Sequence, residues 1–112
     1  MIIPKEINSM EDLEAMILTS VLGIFVSLKE DLISLQQAEG FLLSPDTVKL
    51  FKQIKFSSRL VTLVDKGSHL RDLELYSPAY EKQLDRLIAS SKRLIGSYYD
   101  ENDIPDNSGI IN

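Results

Sequence analysis

A single histidine is the first place to look for catalysis, because the sequence contains no cysteine. His69 follows Ser68, and Asp72 comes three residues later. On a helix this spacing would let Asp72 orient the imidazole, while Ser68 offers a hydroxyl to a general base. Serine is also common at helix ends, where it caps the backbone. We therefore expect a structural role for His69, and we predict no enzymatic activity, no cofactor and no small-molecule substrate.

Carboxylates flank the uncharged run from 15 to 28 on both sides and recur shortly after it. None has the spacing of a calcium-binding loop or of a Glu-x-x-His motif, so we predict no metal site. An acidic surface can instead occupy the phosphate-binding cleft of a basic protein and accelerate their encounter. The residues predicted to bind a protein partner are Glu11, Asp12, Glu14, Glu30, Asp31 and Glu39. The simpler alternative is that these acids only keep the protein soluble.

A short basic stretch with two interleaved phenylalanines offers a different kind of site, since cations could contact nucleic-acid phosphates. The helix expected after it is mostly apolar, whereas a DNA-reading helix carries basic residues. The net charge of −5 also repels phosphate. Nucleic-acid binding is therefore the alternative to a protein partner. The candidate residues for it are Lys49, Lys52, Lys55 and Arg59, with Phe51 and Phe56 between them.

Helices must position these side chains, because no segment shows sustained strand alternation. The run from 15 to 28 has apolar residues around nearly its whole circumference, which predicts a helix over about 10–30 inside a bundle. Ser20, Gly23 and Ser27 recur on one side of that helix. We expect another backbone to approach closely along this seam.

Serine residues indicate where the helices begin. Ser9 lies three residues before Asp12, and Ser34 lies three before Gln37, both with capping-box spacing. Further starts are predicted at Ser44-Pro45, at Ser57 or Ser58, and at Ser77-Pro78. Gly67 is predicted to end the fourth helix, and Phe41 to face inward from the second.

The predicted fold is therefore all-α. We expect a compact bundle of about five to six helices around the central apolar helix, with a long amphipathic C-terminal helix at about 78–98. Residues 1–99 are predicted to form a single helical domain. Residues 100–112 contain four acids, no base, a proline and a glycine, and are predicted to form an acidic, disordered tail.

The uncharged run is shorter than the roughly 20 apolar residues that span a bilayer. Acids precede it, where a secretory signal would carry positive charge. We therefore expect no membrane association and a cytoplasmic location, which the absence of cysteine also favours.

A family of small bacterial helical proteins of unknown function resembles this chain over about residues 13–76. The similarity lies in the leucine-glycine-isoleucine helix, the SLK that follows it, the segment containing Ile33, Ser34, Ala38 and Glu39, and the LLSP before the next helix. Some such families are encoded beside polymorphic or contact-dependent toxins. The resemblance therefore implies an immunity protein that neutralises a cognate toxin domain, such as a basic nuclease in contact-dependent growth inhibition.

Overall fold

The computed structural model describes residues 9–99, and every regular element among them is helical. This confirms the all-α class. The elements in chain order are α1 (Met10–Lys29), α2 (Leu35–Phe41), α3 (Pro45–Ile54), α4 (Ser58–Ser68), a 3₁₀ turn (Leu70–Asp72) and α5 (Pro78–Tyr98). The predicted tail at 100–112 lies outside the described residues.

Each α-helix begins after a serine whose side chain accepts a hydrogen bond from a backbone N–H three residues later. The cap at Ser34 is a full capping box, because the Gln37 side chain also accepts from the Ser34 N–H at 2.8 Å. Pro45 and Pro78 occupy the first helical position, where a missing N–H costs nothing. The predicted serine caps are confirmed.

The core lies where α1, α4 and α5 meet. α1 packs along α5, and α4 packs against both helices as well as against α3. Leu18, Val21 and Phe25 of α1 are fully buried, as are Leu84 and Ser91 of α5. The outer side of α5 carries exposed charged residues, so this helix has the one-sided pattern predicted from its sequence.

α1 is not enclosed on all sides, contrary to the expectation for an uncharged helix. Met16 and Val26 are 37% and 38% exposed, and Thr19 and Gly23 lie on the same open side. An ideal Cβ placed on Gly23 would have no neighbour within 4 Å. The predicted close approach at the Ser20–Gly23–Ser27 seam is therefore wrong.

The close approach instead occurs at Gly67, which does not end its helix but lies buried within α4. A Cβ there would stand 2.9 Å from Leu43 Cδ2 and 3.0 Å from Phe25 Cε1. Glycine at 67 thus lets α4 pack closely on α1. Phe41 also differs from its prediction, because it is exposed at the end of α2 while Ala38 fills the buried position.

Candidate functional site: an acidic patch between α1 and α5

The predicted partner-binding acids fall into separate places. Glu11 and Asp12 lie exposed in the first turn of α1, while Glu30 and Asp31 lie exposed just past its last turn. At 1.5 Å per residue, Asp12 and Glu30 are about 27 Å apart along the helix axis. The two groups therefore lie at opposite ends of α1, and Asp31 of the second group contacts Tyr76, which precedes α5.

Glu14 is buried and holds three helices together. Its carboxylate accepts from the Ser57 N–H at 3.1 Å and from the Tyr98 hydroxyl at 2.5 Å. The first contact satisfies a free N–H at the start of α4, and the second reaches the end of α5. Burial and the hydrogen bond to Glu14 raise the pKa of Tyr98 above its ordinary value of 10.0. Glu14 is thus a structural carboxylate with no free face for a partner.

Glu39 is half-buried on α2. Its Oε2 lies 4.0 Å from Arg71 Nη1, so this acid joins α2 to the 3₁₀ turn. Asp31 combines negative charge, exposure and a contact with a distant part of the chain, and Glu30 is its exposed neighbour.

Asp31 and Tyr76 form an unusual exposed pair. The Tyr76 hydroxyl donates to Asp31 Oδ1 at 2.8 Å, which raises the pKa of the phenol. Both residues have left-handed backbone conformations, with φ of 60° and 64°. Aspartate tolerates this region, whereas tyrosine in it stores strain of about 1–2 kcal/mol. Strained residues cluster at functional sites, so this pair is a candidate contact site for a binding partner.

More acids surround the pair on the adjacent turns of α5. Lys29 Nζ lies 3.0 Å from Glu81 Oε1 and 2.9 Å from Asp85 Oδ1, and these contacts, the one to Asp85 foremost, raise the pKa of Lys29. One cation therefore sits among several carboxylates, leaving the region negative. We call this region the acidic patch; its residues are Glu30, Asp31, Leu32, Leu75, Tyr76, Glu81 and Asp85.

The centre of the acidic patch is apolar and open to solvent. Leu32 is 73% exposed, Tyr76 59% and Leu75 50%. Tyr76 belongs to the hydrogen-bonded pair, Leu75 precedes it in sequence, and Leu32 follows Asp31. Exposed leucine and tyrosine side chains within a charged rim are the composition expected of a protein-binding surface.

The chain matches a sequence family described as "Protein of unknown function (DUF3969)" over residues 8–107. It belongs to that family. Comparisons with curated proteins and with solved structures give no match. The expected membership of an uncharacterised family is confirmed.

His69 in this DUF3969 chain caps a helix. Its Nδ1–H donates to the carbonyl oxygen of Asp65 at 2.8 Å, and the Ser68 hydroxyl donates to the same oxygen at 2.7 Å. The carboxylate beside the ring is that of Asp65, 3.7 Å away, and not that of Asp72, which the general-base alternative would require. Both side chains therefore satisfy a carbonyl in the last turn of α4.

The basic stretch does not form one surface with aromatic residues. Lys49 and Lys52 are exposed on α3, and Lys55 caps its end. Phe51 and Phe56 are buried and pack edge to face, with ring centroids 5.0 Å apart. The interleaved phenylalanines thus belong to the core and offer no stacking surface for bases. The fourth cation, Arg59, lies on α4.

No group of three histidine, aspartate or glutamate side chains within residues 9–99 is placed to hold a metal ion. None of the helices in that range is long and apolar enough to cross a bilayer.

The sequence prediction missed Leu32, Leu75, Tyr76, Glu81 and Asp85. Glu81 and Asp85 lie one helical turn apart near the start of α5, but nothing in the sequence tells which turn of α1 they face. The left-handed conformations at Asp31 and Tyr76 also carry no sequence mark, because neither residue is a glycine.

Proposed function

We propose that this protein is a stoichiometric immunity protein that neutralises a toxin domain, most simply a basic nuclease of a contact-dependent growth inhibition system, by covering it with the acidic patch. The observation that supports the proposal is the exposed Asp31–Tyr76 pair within a negative surface, in which the Tyr76 backbone is strained. The toxin assignment itself rests on the family resemblance described above.

The chemistry of the acidic patch suits a basic partner. A nuclease binds phosphates through cations in its cleft, and carboxylates at 30, 31, 81 and 85 could take the place of those phosphates. Long-range attraction between the two charged surfaces would speed their encounter. Tyr76 and Leu32 would then fill apolar contacts at the centre, where binding energy concentrates. No covalent step is required, because occlusion is sufficient.

The test begins with affinity capture of the partner from the bacterium that carries the gene, with the full chain as bait. The proposal expects a basic protein that arrests growth when expressed alone and loses that effect when the chain is co-expressed. A captured protein that is acidic, or that does not impair growth, would overturn the toxin-neutralising function.

Two double variants test which surface binds the partner. Glu30→Gln with Asp31→Asn removes two charges while keeping the side-chain shapes, and asparagine tolerates the left-handed conformation at 31. Glu11→Gln with Asp12→Asn makes the same charge change at the far end of α1. Calorimetry should show weaker binding, by roughly tenfold or more, for the first variant alone. Equal losses in both would mean that only net charge matters.

The alternative is a helical nucleic-acid-binding or regulatory module that uses Lys49, Lys52, Lys55 and Arg59. It is supported by the exposure of all four side chains, none of which has a carboxylate within 4.0 Å among residues 9–99. Fluorescence anisotropy with labelled DNA and RNA should then give affinity that falls steeply as salt rises. Absence of such binding at low salt would exclude this function.

A further inference from the structure

A groove between α4 and α5 is lined by cations on both walls. Its volume is about 720 Å³, and Arg59 and Lys66 of α4 face Arg86 and Arg93 of α5 across it. No acidic side chain lines it. Within residues 9–99, none of these four cations has a carboxylate within 4.0 Å. We call this feature the basic groove.

The four cations are arranged at regular spacing. The pairs Arg59/Lys66 and Arg86/Arg93 are each seven residues apart, which is about 10.5 Å along a helix. The start of α4 lies beside the end of α5, because the Ser57 and Tyr98 hydroxyls are 3.4 Å apart. The two helices are therefore antiparallel, with Arg59 toward Arg93 and Lys66 toward Arg86. The groove thus has two pairs of facing cations, Arg59 with Arg93 and Lys66 with Arg86, about two helical turns apart. We call these two pairs the cationic rungs.

Between the rungs the floor is apolar. Leu63 of α4 and Leu87 and Leu94 of α5 form it with only 5%, 2% and 7% of their surfaces exposed, and the exposed Ala89 lies on the α5 wall. The smaller polar groups Thr62, Gln83 and Ser90 complete the lining. Leucines along the floor and cations along the rims form a surface that is complementary to an amphipathic segment of opposite charge.

We propose that the basic groove binds an acidic amphipathic helix of a partner protein, with carboxylates that recur every seven residues on both sides of an apolar stripe. A helix repeats its face about every seven residues, so its carboxylates would meet both cationic rungs at once. Its apolar stripe would cover Ala89 and the exposed edges of the leucines, and its charges would pair with cations that have no carboxylate within 4.0 Å among the described residues.

The lining favours a helix over nucleic acid. No aromatic side chain lines the groove, so bases would have no stacking surface. A phosphodiester backbone would pair with the cations but would leave the apolar surface of Ala89 and of the leucine edges uncovered. Nucleic acid is therefore the competing outcome of the experiment below.

The basic groove is independent of the acidic patch. On α5, Glu81 and Asp85 point toward α1, where they contact Lys29, whereas Arg86 and Arg93 line the wall that faces α4. Evidence against the proposed immunity function would therefore not contradict the groove proposal, and the reverse also holds. The two surfaces could bind two partners at once.

The direct probe is a fluorescently labelled, alanine-based helical peptide of about 18 residues, with glutamates every seven residues on both sides of a leucine stripe. A matched peptide carries glutamine at every glutamate position. We expect anisotropy to show saturable binding of the glutamate peptide to the full chain and much weaker binding of the glutamine peptide. Equal binding of both peptides would overturn the charge complementarity, and no binding of either would overturn the proposal.

Neighbouring residues on α5 give matched protein variants. Arg93 lines the groove, while Lys92 is exposed outside it. Arg93→Glu should weaken peptide binding by about tenfold, and Lys92→Glu, with the same charge change, by less than about threefold. Equal losses of peptide affinity in the two variants would show that only the net charge of the protein matters, which would contradict binding in the groove.

Two further arms complete the test. Glu30→Gln with Asp31→Asn, in the acidic patch, should leave peptide binding unchanged. Single-stranded RNA of similar length should not displace the peptide. Displacement by RNA at concentrations below those of unlabelled peptide would assign the groove to nucleic acid and overturn the helix proposal.

Discussion

Glu14 lies only two residues from Asp12, yet the two carboxylates have different roles because the helix turns them about 200° apart. Asp12 stays at the exposed N-terminal turn of α1, while Glu14 faces α4 and α5. The sequence placed both in one acidic cluster. Only the packing of three helices reveals that one member of the cluster is a buried hydrogen-bond acceptor.

Removing the Glu14 carboxylate should therefore destabilise the protein. Glu14→Ala leaves the Ser57 N–H and the Tyr98 hydroxyl without this acceptor in a partly buried place, and we expect a loss of about 2–3 kcal/mol in unfolding free energy. Urea denaturation measures this loss. Glu11→Ala, exposed on the same helix, should change stability by less than about 0.5 kcal/mol. Equal effects would show that the buried contacts contribute nothing.

The Tyr98 hydroxyl should make stability depend on alkaline pH. Its pKa is raised in the folded state, by burial first and by the hydrogen bond to Glu14 second. The folded state thus favours the protonated phenol. The associated stability is fully present below about pH 10 and is lost as pH rises through the folded-state pKa.

Denaturant midpoints between about pH 8 and pH 11 test this dependence. Tyr98→Phe should give a shallower alkaline decline than the parent protein, although it is less stable at neutral pH. Some decline should remain, because burial also raises the pKa of Tyr80. An unchanged slope in Tyr98→Phe would contradict the assignment.

At the scale of elements, local signals were sufficient to predict where helices begin. Serine caps and serine-proline pairs act within one helical turn, so the local sequence is enough to predict where a helix begins. Contacts between helices are different. Gly23 and Gly67 are both glycines inside helices, and no local rule says which of them another element approaches. The helix register that places Gly67 on Phe25 is a tertiary property.

These two glycines should respond to alanine in opposite directions. At Gly23 a methyl group meets nothing within 4 Å, so higher helix propensity should stabilise the protein by up to about 1 kcal/mol. At Gly67 the methyl would crowd Phe25 and Leu43, both fully buried, and we expect a net loss of about 1–2 kcal/mol. Thermal or urea unfolding measures whether each substitution raises or lowers the stability. Stabilisation by Gly67→Ala would contradict the close packing of α4 on α1.

At the scale of the whole molecule, α5 separates two surfaces of opposite charge. Its α1 side contributes to the acidic patch, and its α4 side contributes to the basic groove. The sequence predicted acidic and basic segments, but it assigned the cations to residues 49–59. The structure instead joins Arg59 to cations far along the chain, because antiparallel packing of α4 and α5 brings them together. Composition cannot show such a pairing.

Neutralisation in a defined ratio tests the central proposal most directly. The purified toxin domain, identified by capture, is assayed for its activity while the chain is added in increasing molar amounts. The account predicts that activity ends near one chain per toxin domain, and that Glu30→Gln with Asp31→Asn needs a large excess while Glu11→Gln with Asp12→Asn behaves as the parent protein. Undiminished activity at saturating chain, or loss of activity at far below one chain per toxin, would contradict stoichiometric occlusion.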